Sequence, residues 1–292
     1  MLDSTTKKDI EAISMDILKE SKSYGVFPTP VDKIVQCAEL KIGGGIDLES
    51  IRKKSSGFNI TEVLKSAVSK VRGILDRSEK VIYLDLTQID SRKAFVTLHE
   101  TGHSVLPWQG EILQYVDDDN TLDLATQEDF EAEANFFASA TLFQNDLFNQ
   151  ESKKLELGVS APLYLSKKFG ASGHAALRRY VELHKSRCSL LVLEPSKNIP
   201  KGANLRNHFY SQSFIKEYGG LSWPATFDFK WPFMLDLVMN KKLKTNGTLT
   251  VPTSNGEMVE FGYEYFNNTY NVFVMIFPKG EKKKTKVTIH VN

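Results

Sequence analysis

Apolar positions spaced three and four apart mark a run of helices in the first half of the 292-residue chain. Ile10, Ile13, Ile17 and Leu18 predict a helix from Thr5 to about Tyr24, stopped near Gly25 and broken by Pro28-Thr-Pro30. Ile34, Val35 and Ala38 predict a second over Val31 to Leu40, ended by Gly43-Gly-Gly45, with shorter helices expected over Leu48 to Lys54 and Thr61 to Lys70. The period then falls from 3.6 to 2. Val71 to Leu75 and Val81 to Asp85 are β-rich runs separated by the polar Asp76-Arg-Ser-Glu-Lys80, a hairpin signature with a longer loop. Helical spacing returns from Phe95 to Leu106, where Pro107 ends it, and again from Thr126, a plausible N-cap, with acidic residues in the first turn that suit the helix dipole. Trp108 to Leu124 between them reads as a polar loop.

Beyond about Leu190 the pattern is β throughout. Leu190 to Leu193 reads as a strand closing a first domain, and Pro195-Ser-Lys-Asn-Ile-Pro200 as a linker. Thr248 to Val251, Met258 to Tyr263, Tyr270 to Phe277 and Lys286 to Val291 are strand-like and separated by turn residues, with one or two helices expected between Asn204 and Met239. The expected organisation is α+β: residues 1–195 as one domain and residues 196–292 as a β-rich domain that could serve as a sensor or substrate-recognition module. The Trp223, Trp231 and Phe233 side chains fit either a ligand pocket or an ordinary core, and core packing is the preferred account.

The helix Phe95-Val-Thr-Leu-His99-Glu100-Thr-Gly-His103 carries the chemistry. Residues four apart lie one turn apart on one face, so His99 and His103 can reach a single ion. Glu100 projects beside them, placed to take a proton from water that a zinc ion acidifies. Two His and a Glu on an ordinary half-exposed helix are the plain alternative. Against it stand Phe95, Val96 and Leu106 on the metal side and the placing here of two of only six His.

A third ligand should come from the Thr126 helix. Glu131 shares its face with Ala134, Asn135, Ala138 and Leu142, mostly small residues that allow close helix approach, whereas Glu133 lies towards Phe130, Phe136 and Phe137. Glu131 is therefore preferred, with Glu133 as the alternative, and Asn135 could orient the ligand. The hairpin just before the His-bearing helix has two readings of equal weight, a plain core hairpin or an edge that takes substrate by strand addition.

Composition narrows the setting. With 41% hydrophobic and 25% charged residues and a net charge of +1, the chain is an ordinary globular protein with no bulk attraction to nucleic acid or membranes. Cys37 and Cys188 are too few for a disulfide framework, and no apolar run reaches the 18 or so residues of a membrane span. The N-terminus lacks a signal-peptide core, so a cytoplasmic location is expected. Asp117-Asp-Asp119 lacks the spaced ligands of a calcium loop and reads as solvated surface.

Three strings resemble the ImmA/IrrE family of metallo-endopeptidases: Phe95 to His103, Glu131-Ala-Glu-Ala-Asn135-Phe-Phe-Ala138, and Phe169-Gly-Ala-Ser-Gly-His174-Ala-Ala-Leu-Arg-Arg179. Phe27 to Ile34 is similar to the family's opening helix, so the likeness covers roughly residues 10–190. Departures are the absence of a Leu-Met-Pro turn after the Ala-Asn helix, where Thr141-Leu-Phe-Gln144 stands, and Ala94 in place of the family's Arg. The resemblance implies a minimal zincin core, gluzincin-like, with Zn2+ held by His99, His103 and Glu131 and with Glu100 as general base and acid. It also implies a protein substrate, which in family members is often a helix-turn-helix repressor; direct nucleic-acid binding is not expected. His174, Arg178, Arg179 and Tyr115 are candidate oxyanion donors, with His174 and Arg179 taken from the third family-like string. A regulatory protein that only sequesters its partner is the alternative, and it would have no need of Glu100.

Overall fold

The structure, a computed structural model, describes residues 2–43, 73–77, 79–85, 87–110, 124–196 and 201–282. The helices expected at 48–54 and 61–70, the acidic run 117–119, Tyr115 and the strand at 286–291 lie outside them. Mixed helix and sheet make an α+β chain, divided into two compact units: residues 1–148 with 167–172, and residues 149–166 with 173–292.

In the first unit α1 (Ser4–Glu20) buries Ile10, Ser14, Ile17 and Leu18, and α2 (Val31–Cys37) buries Ile34 and Val35. Asp3 accepts the Thr5 and Thr6 N–H groups at 2.7 and 3.0 Å, which starts α1 with a side-chain cap. A three-stranded sheet follows in the order β1-β3-β2, from β1 (Lys41–Ile42), β2 (Gly73–Asp76) and β3 (Val81–Leu84). The antiparallel β2–β3 pair is the hairpin read from the alternating runs, in the register Gly73 to Leu84. β1 joins β3 in parallel, so β2 is an edge among the described residues. Val35, Leu40, Ile82, Leu84 and Val96 form one core beneath this sheet.

The long helices α3 (Asp90–Val105) and α4 (Leu124–Leu142) pack on each other, α3 also on β2 and β3, and α4 on α1. Thr126 does not cap α4, which begins two residues earlier. The small face read from the sequence is what lets the helices close: Ala134 and Ala138 are fully buried, and a Cβ built on Gly102 would meet the Ala134 Cα at 3.3 Å. After α4, where the sequence has Thr141-Leu-Phe-Gln144 and no Leu-Met-Pro, Gln144 ties the helix exit to the segment 25–29. Its amide donates to the Val26 carbonyl and the Thr29 hydroxyl and accepts the Gly25 N–H at 2.7, 3.0 and 2.7 Å. The short α5 (Asp146–Ser152) brings Phe148 to Phe143 and Phe169, where Phe27 also packs.

The second unit is built on an antiparallel sheet in the order β6-β5-β4-β9-β8-β7. Its strands are β4 (Ser189–Pro195), β5 (Ala203–Tyr210), β6 (Thr226–Phe227), β7 (Leu243–Pro252), β8 (Met258–Asn267) and β9 (Val272–Pro278). The run Leu190 to Leu193, expected to close a first domain, is instead an inner strand of this sheet, paired with β5 on one side and β9 on the other. β9 is buried along its whole length, as a strand with both faces covered must be. Helices α6 (Ser160–Phe169) and α7 (Gly173–Leu183) precede β4, and α7 packs on β4 and β5. Two further helices, α8 (Gln212–Tyr218) and α9 (Pro232–Val238), fall in the span expected to hold one or two. Trp223 and Trp231 pack with Phe227 and Phe233 against the sheet core. Glu264 on β8 is buried, accepts the Val159 N–H at 2.8 Å and pairs with Lys282.

Candidate metal centre

The helical period of α3 and its close crossing with α4 together build a three-donor cluster. His99 and His103 sit one turn apart on α3, and Glu131 reaches them from α4. Their Nε2 atoms are 3.2 Å apart, and Glu131 lies 3.4 Å from His99 Nε2 through one oxygen and 3.3 Å from His103 Nε2 through the other. Three donors at these separations match a tetrahedral zinc site, in which bonds of about 2.0–2.1 Å to nitrogen place neighbouring donors about 3.3–3.4 Å apart. The residues present fit the ion in donor type as well as spacing. Among the described residues this is the group of His, Cys, Asp and Glu side chains gathered closely enough to share a metal.

Burial grades the cluster from one side to the other. The His99 side chain is 1% exposed, that of His103 15% and that of Glu131 38%, so the site opens on the Glu131 side. Burial works against the charge on Glu131, and hydrogen bonds from His103 and His99 overcome it, holding the carboxyl far below the usual carboxylate range. Burial likewise disfavours charge on His103, yet Glu131, Glu100 and Gln109 together raise its pKa above the ordinary imidazole value.

Glu100 is buried beside them. Desolvation raises its pKa, the neighbouring imidazoles oppose the shift, and the Leu75 main-chain N–H bonds its carboxylate. Gly73 keeps β2 close to this group, since a Cβ there would lie 2.5 Å from Val96 and 3.3 Å from a Glu100 oxygen. The edge strand thus runs directly along the acid.

Several participants are not apparent from the sequence pattern. Pro107 to Gly110 forms a further helical turn rather than the start of a polar loop, and Gln109 in it is fully buried. Gln109 Oε1 lies 2.8 Å from His103 Nδ1, while its amide nitrogen donates to Glu133 Oε2 at 2.7 Å and to the Phe130 carbonyl at 3.2 Å. Glu133 also accepts the Trp108 indole N–H at 2.7 Å. It is therefore occupied away from the donor cluster, whereas Asn135 is exposed. Arg77, in the polar hairpin loop, donates to the His103 carbonyl at 2.9 Å, and burial lowers its pKa against the opposing pull of Glu100. The one sequence signal for these residues is that Trp108 and Gln109 directly follow Pro107, a position that starts a turn as readily as a loop.

His174 and Arg179 lie on α7 in the second unit. The His174 ring packs on Phe273 of β9 with centroids 5.5 Å apart, and burial, with Arg206 and Arg178 nearby, lowers its pKa. Arg178 pairs with Glu182 at 3.0 Å and lies over the Phe209 ring.

Comparison with known proteins agrees with this geometry. No curated protein sequence matches the chain. Among solved structures it is similar to a Mycobacterium tuberculosis transcriptional regulator, with 12% identity over 92% of this chain and 86% of that one and a TM-score of 0.50, a likeness of fold alone. Residues 56–180, which include the donor cluster and Glu100, match the IrrE N-terminal-like domain, Peptidase_M78, in agreement with the ImmA/IrrE resemblance of the sequence strings.

Proposed function

We propose that the protein is a zinc-dependent endopeptidase with a gluzincin-like core, acting on a protein partner in a regulatory response. The observation that carries this reading is the convergence of His99, His103 and Glu131 beside a buried Glu100 whose pKa is raised. A bound zinc ion supplies Lewis acidity, which acidifies water and polarises a peptide carbonyl. The rest belongs to the chain. Glu100, uncharged more readily than an ordinary carboxylate, holds the proton taken from the attacking water and delivers it to the leaving amine. The exposed side of Glu131 and the edge of β2, unpaired among the described residues, suit an extended peptide lying along the strand next to Glu100.

The oxyanion donor belongs to the same proposal. His174 and Arg179 are the candidates carried by the family resemblance, and Arg77 joins them because its guanidinium lies beside Glu100 and on the His103 carbonyl. Individual replacement by Ala separates them: the donor is the residue whose loss lowers kcat with KM little changed. A helix-turn-helix repressor as substrate, the β-rich second unit, which includes β4 ahead of residue 196, as a recognition module, and a reducing cytoplasmic setting in which the free Cys37 and Cys188 stay unpaired complete the reading. Among the described residues no helix is long and apolar enough to cross a membrane.

The test uses the purified full chain with a denatured-protein peptide library and mass spectrometry. Cleavage is expected with zinc, and it should vanish with a chelator, with Glu100→Ala and with Glu131→Gln. Cleavage that survives both chelator and Glu100→Ala would sink the proposal. Tight zinc binding without any cleavage, on the library or on a repressor encoded beside it, would favour the sequestering protein.

A further inference from the structure

Two carboxylates two residues apart on α4 approach His103 from opposite sides of its ring. Glu131 faces Nε2 directly at 3.3 Å. Glu133 reaches the other nitrogen through Gln109. We infer that Gln109 and Glu133 are positioning residues that lock His103 with its proton on Nδ1, leaving the Nε2 lone pair for the metal.

The argument is one of donor and acceptor accounting. The Gln109 side chain has one end that accepts and one that donates, and the two ends are interchangeable in shape. Its nitrogen end meets the Glu133 carboxylate at 2.7 Å and the Phe130 carbonyl at 3.2 Å, both of them acceptors. Turning the amide over would set its oxygen against both, in a place with no exposure at all. The oxygen end must therefore face His103 Nδ1, at 2.8 Å, and a carbonyl oxygen can only accept there. Nδ1 must donate, in the neutral and the charged ring alike.

Glu133 makes the lock one-way. The Trp108 indole N–H is a donor with no accepting ability, and it bonds the same Glu133 oxygen at 2.7 Å, so that oxygen is committed as an acceptor twice over. A metal-ligating imidazole needs a defined tautomer, and the group bonded to its second nitrogen sets it. His99 lacks such support among the described residues, its Nδ1 being buried without a hydrogen-bond partner. The lock on His103 is accordingly the device that prepares the cluster.

This inference rests on the zinc site of the proposed function, and the experiment separates the two. Zinc affinity of the full chain is measured by competition with a chromophoric chelator, for wild type and Gln109→Met. Methionine fills the same space without an acceptor, and affinity should fall by about 10–100-fold, the usual effect of removing such a support. Independently, nitrogen-15 spectra of the metal-free wild type, taken at a pH where the His103 ring carries a single proton, should show that proton on Nδ1. Spectra with the proton on Nε2 overturn the inference even if Gln109→Met does not fold. So does Gln109→Met affinity within about threefold of wild type, well short of the expected range. A wild type that binds no zinc would instead refute the metal centre, while the spectra would still decide the tautomer.

Discussion

Replacing Gly102 by Ala tests whether the α3–α4 approach builds the site. Gly102 precedes His103 on α3, and a methyl there would stand 3.0 Å from Phe137 Cδ1, 3.4 Å from its Cβ and 3.3 Å from the Ala134 Cα. The Phe137 ring is buried, and Ala134 Cα is backbone, so neither gives way without moving α4 by a few tenths of an ångström. Gly→Ala in a free helix interior stabilises by about 1 kcal/mol, and overpacking a close contact costs about 1–3 kcal/mol. The net expectation is a loss of about 0–2 kcal/mol, which in a domain of this size lowers Tm by roughly 0–8 °C. Zinc binding should suffer more than stability, because Glu131 rides on α4 one turn before Ala134, and ligand positions tolerate only about ±0.2 Å.

The assay is thermal unfolding with and without zinc, since the gain in Tm on adding metal reports affinity through mass action. Gly110→Ala serves as the control, a Cβ at that position meeting nothing within 4 Å. Gly102→Ala should shrink the zinc-induced gain while Gly110→Ala preserves it. A Gly102→Ala protein more stable than wild type without metal and equally stabilised by zinc would refute the reasoning, showing that contact at Gly102 does not set the position of Glu131.

Two further outcomes are expected. Burial raises the Glu100 pKa above its ordinary 4.5; for an acid raised in the folded state, the charged form is disfavoured there, so metal-free stability declines as pH climbs from the unfolded value through the folded one. Glu100→Gln should therefore stabilise the metal-free protein at pH 8 and make little difference at about pH 4, by urea denaturation, and a destabilised Glu100→Gln at the higher pH would contradict the assigned direction. Glu264→Leu strips the Val159 N–H of its acceptor and Lys282 of its partner. The loss should be about 2–3 kcal/mol, below the range for a fully buried pair because Lys282 can turn to water, while Glu264→Gln, which keeps an acceptor, should cost about half as much; equal losses would show that charge alone matters.

Legibility from the sequence followed locality. The Ile10, Ile17 and Leu18 stripe and the Ile34, Val35 pair were readable because the helical period is written in neighbouring residues, and the β2–β3 hairpin because its strands lie five residues apart. Strand β5 was not readable. Its sequence, Ala-Asn-Leu-Arg-Asn-His-Phe-Tyr over 203–210, is half polar and takes strand form because β4 offers it a ladder of partners. For the same reason Leu190 to Leu193 was recognisable as a strand while its inner place in the second sheet was not, since nothing local names a pairing partner.

By itself the sequence determined the pairing of His99 and His103 with Glu100 on one helix, because a turn of 3.6 residues puts them together whatever surrounds them. It also ranked Glu131 above Glu133, through the small residues that share its face. Only the tertiary structure decided that Glu131 meets both imidazoles, that Glu133 turns to Trp108 and Gln109, and that a residue read as loop is buried against His103. Those outcomes depend on how closely α3 and α4 cross and on which donors are left to share a buried acceptor. Distances between helices and the completion of buried hydrogen bonds are properties of packing, and no periodicity along the chain encodes them.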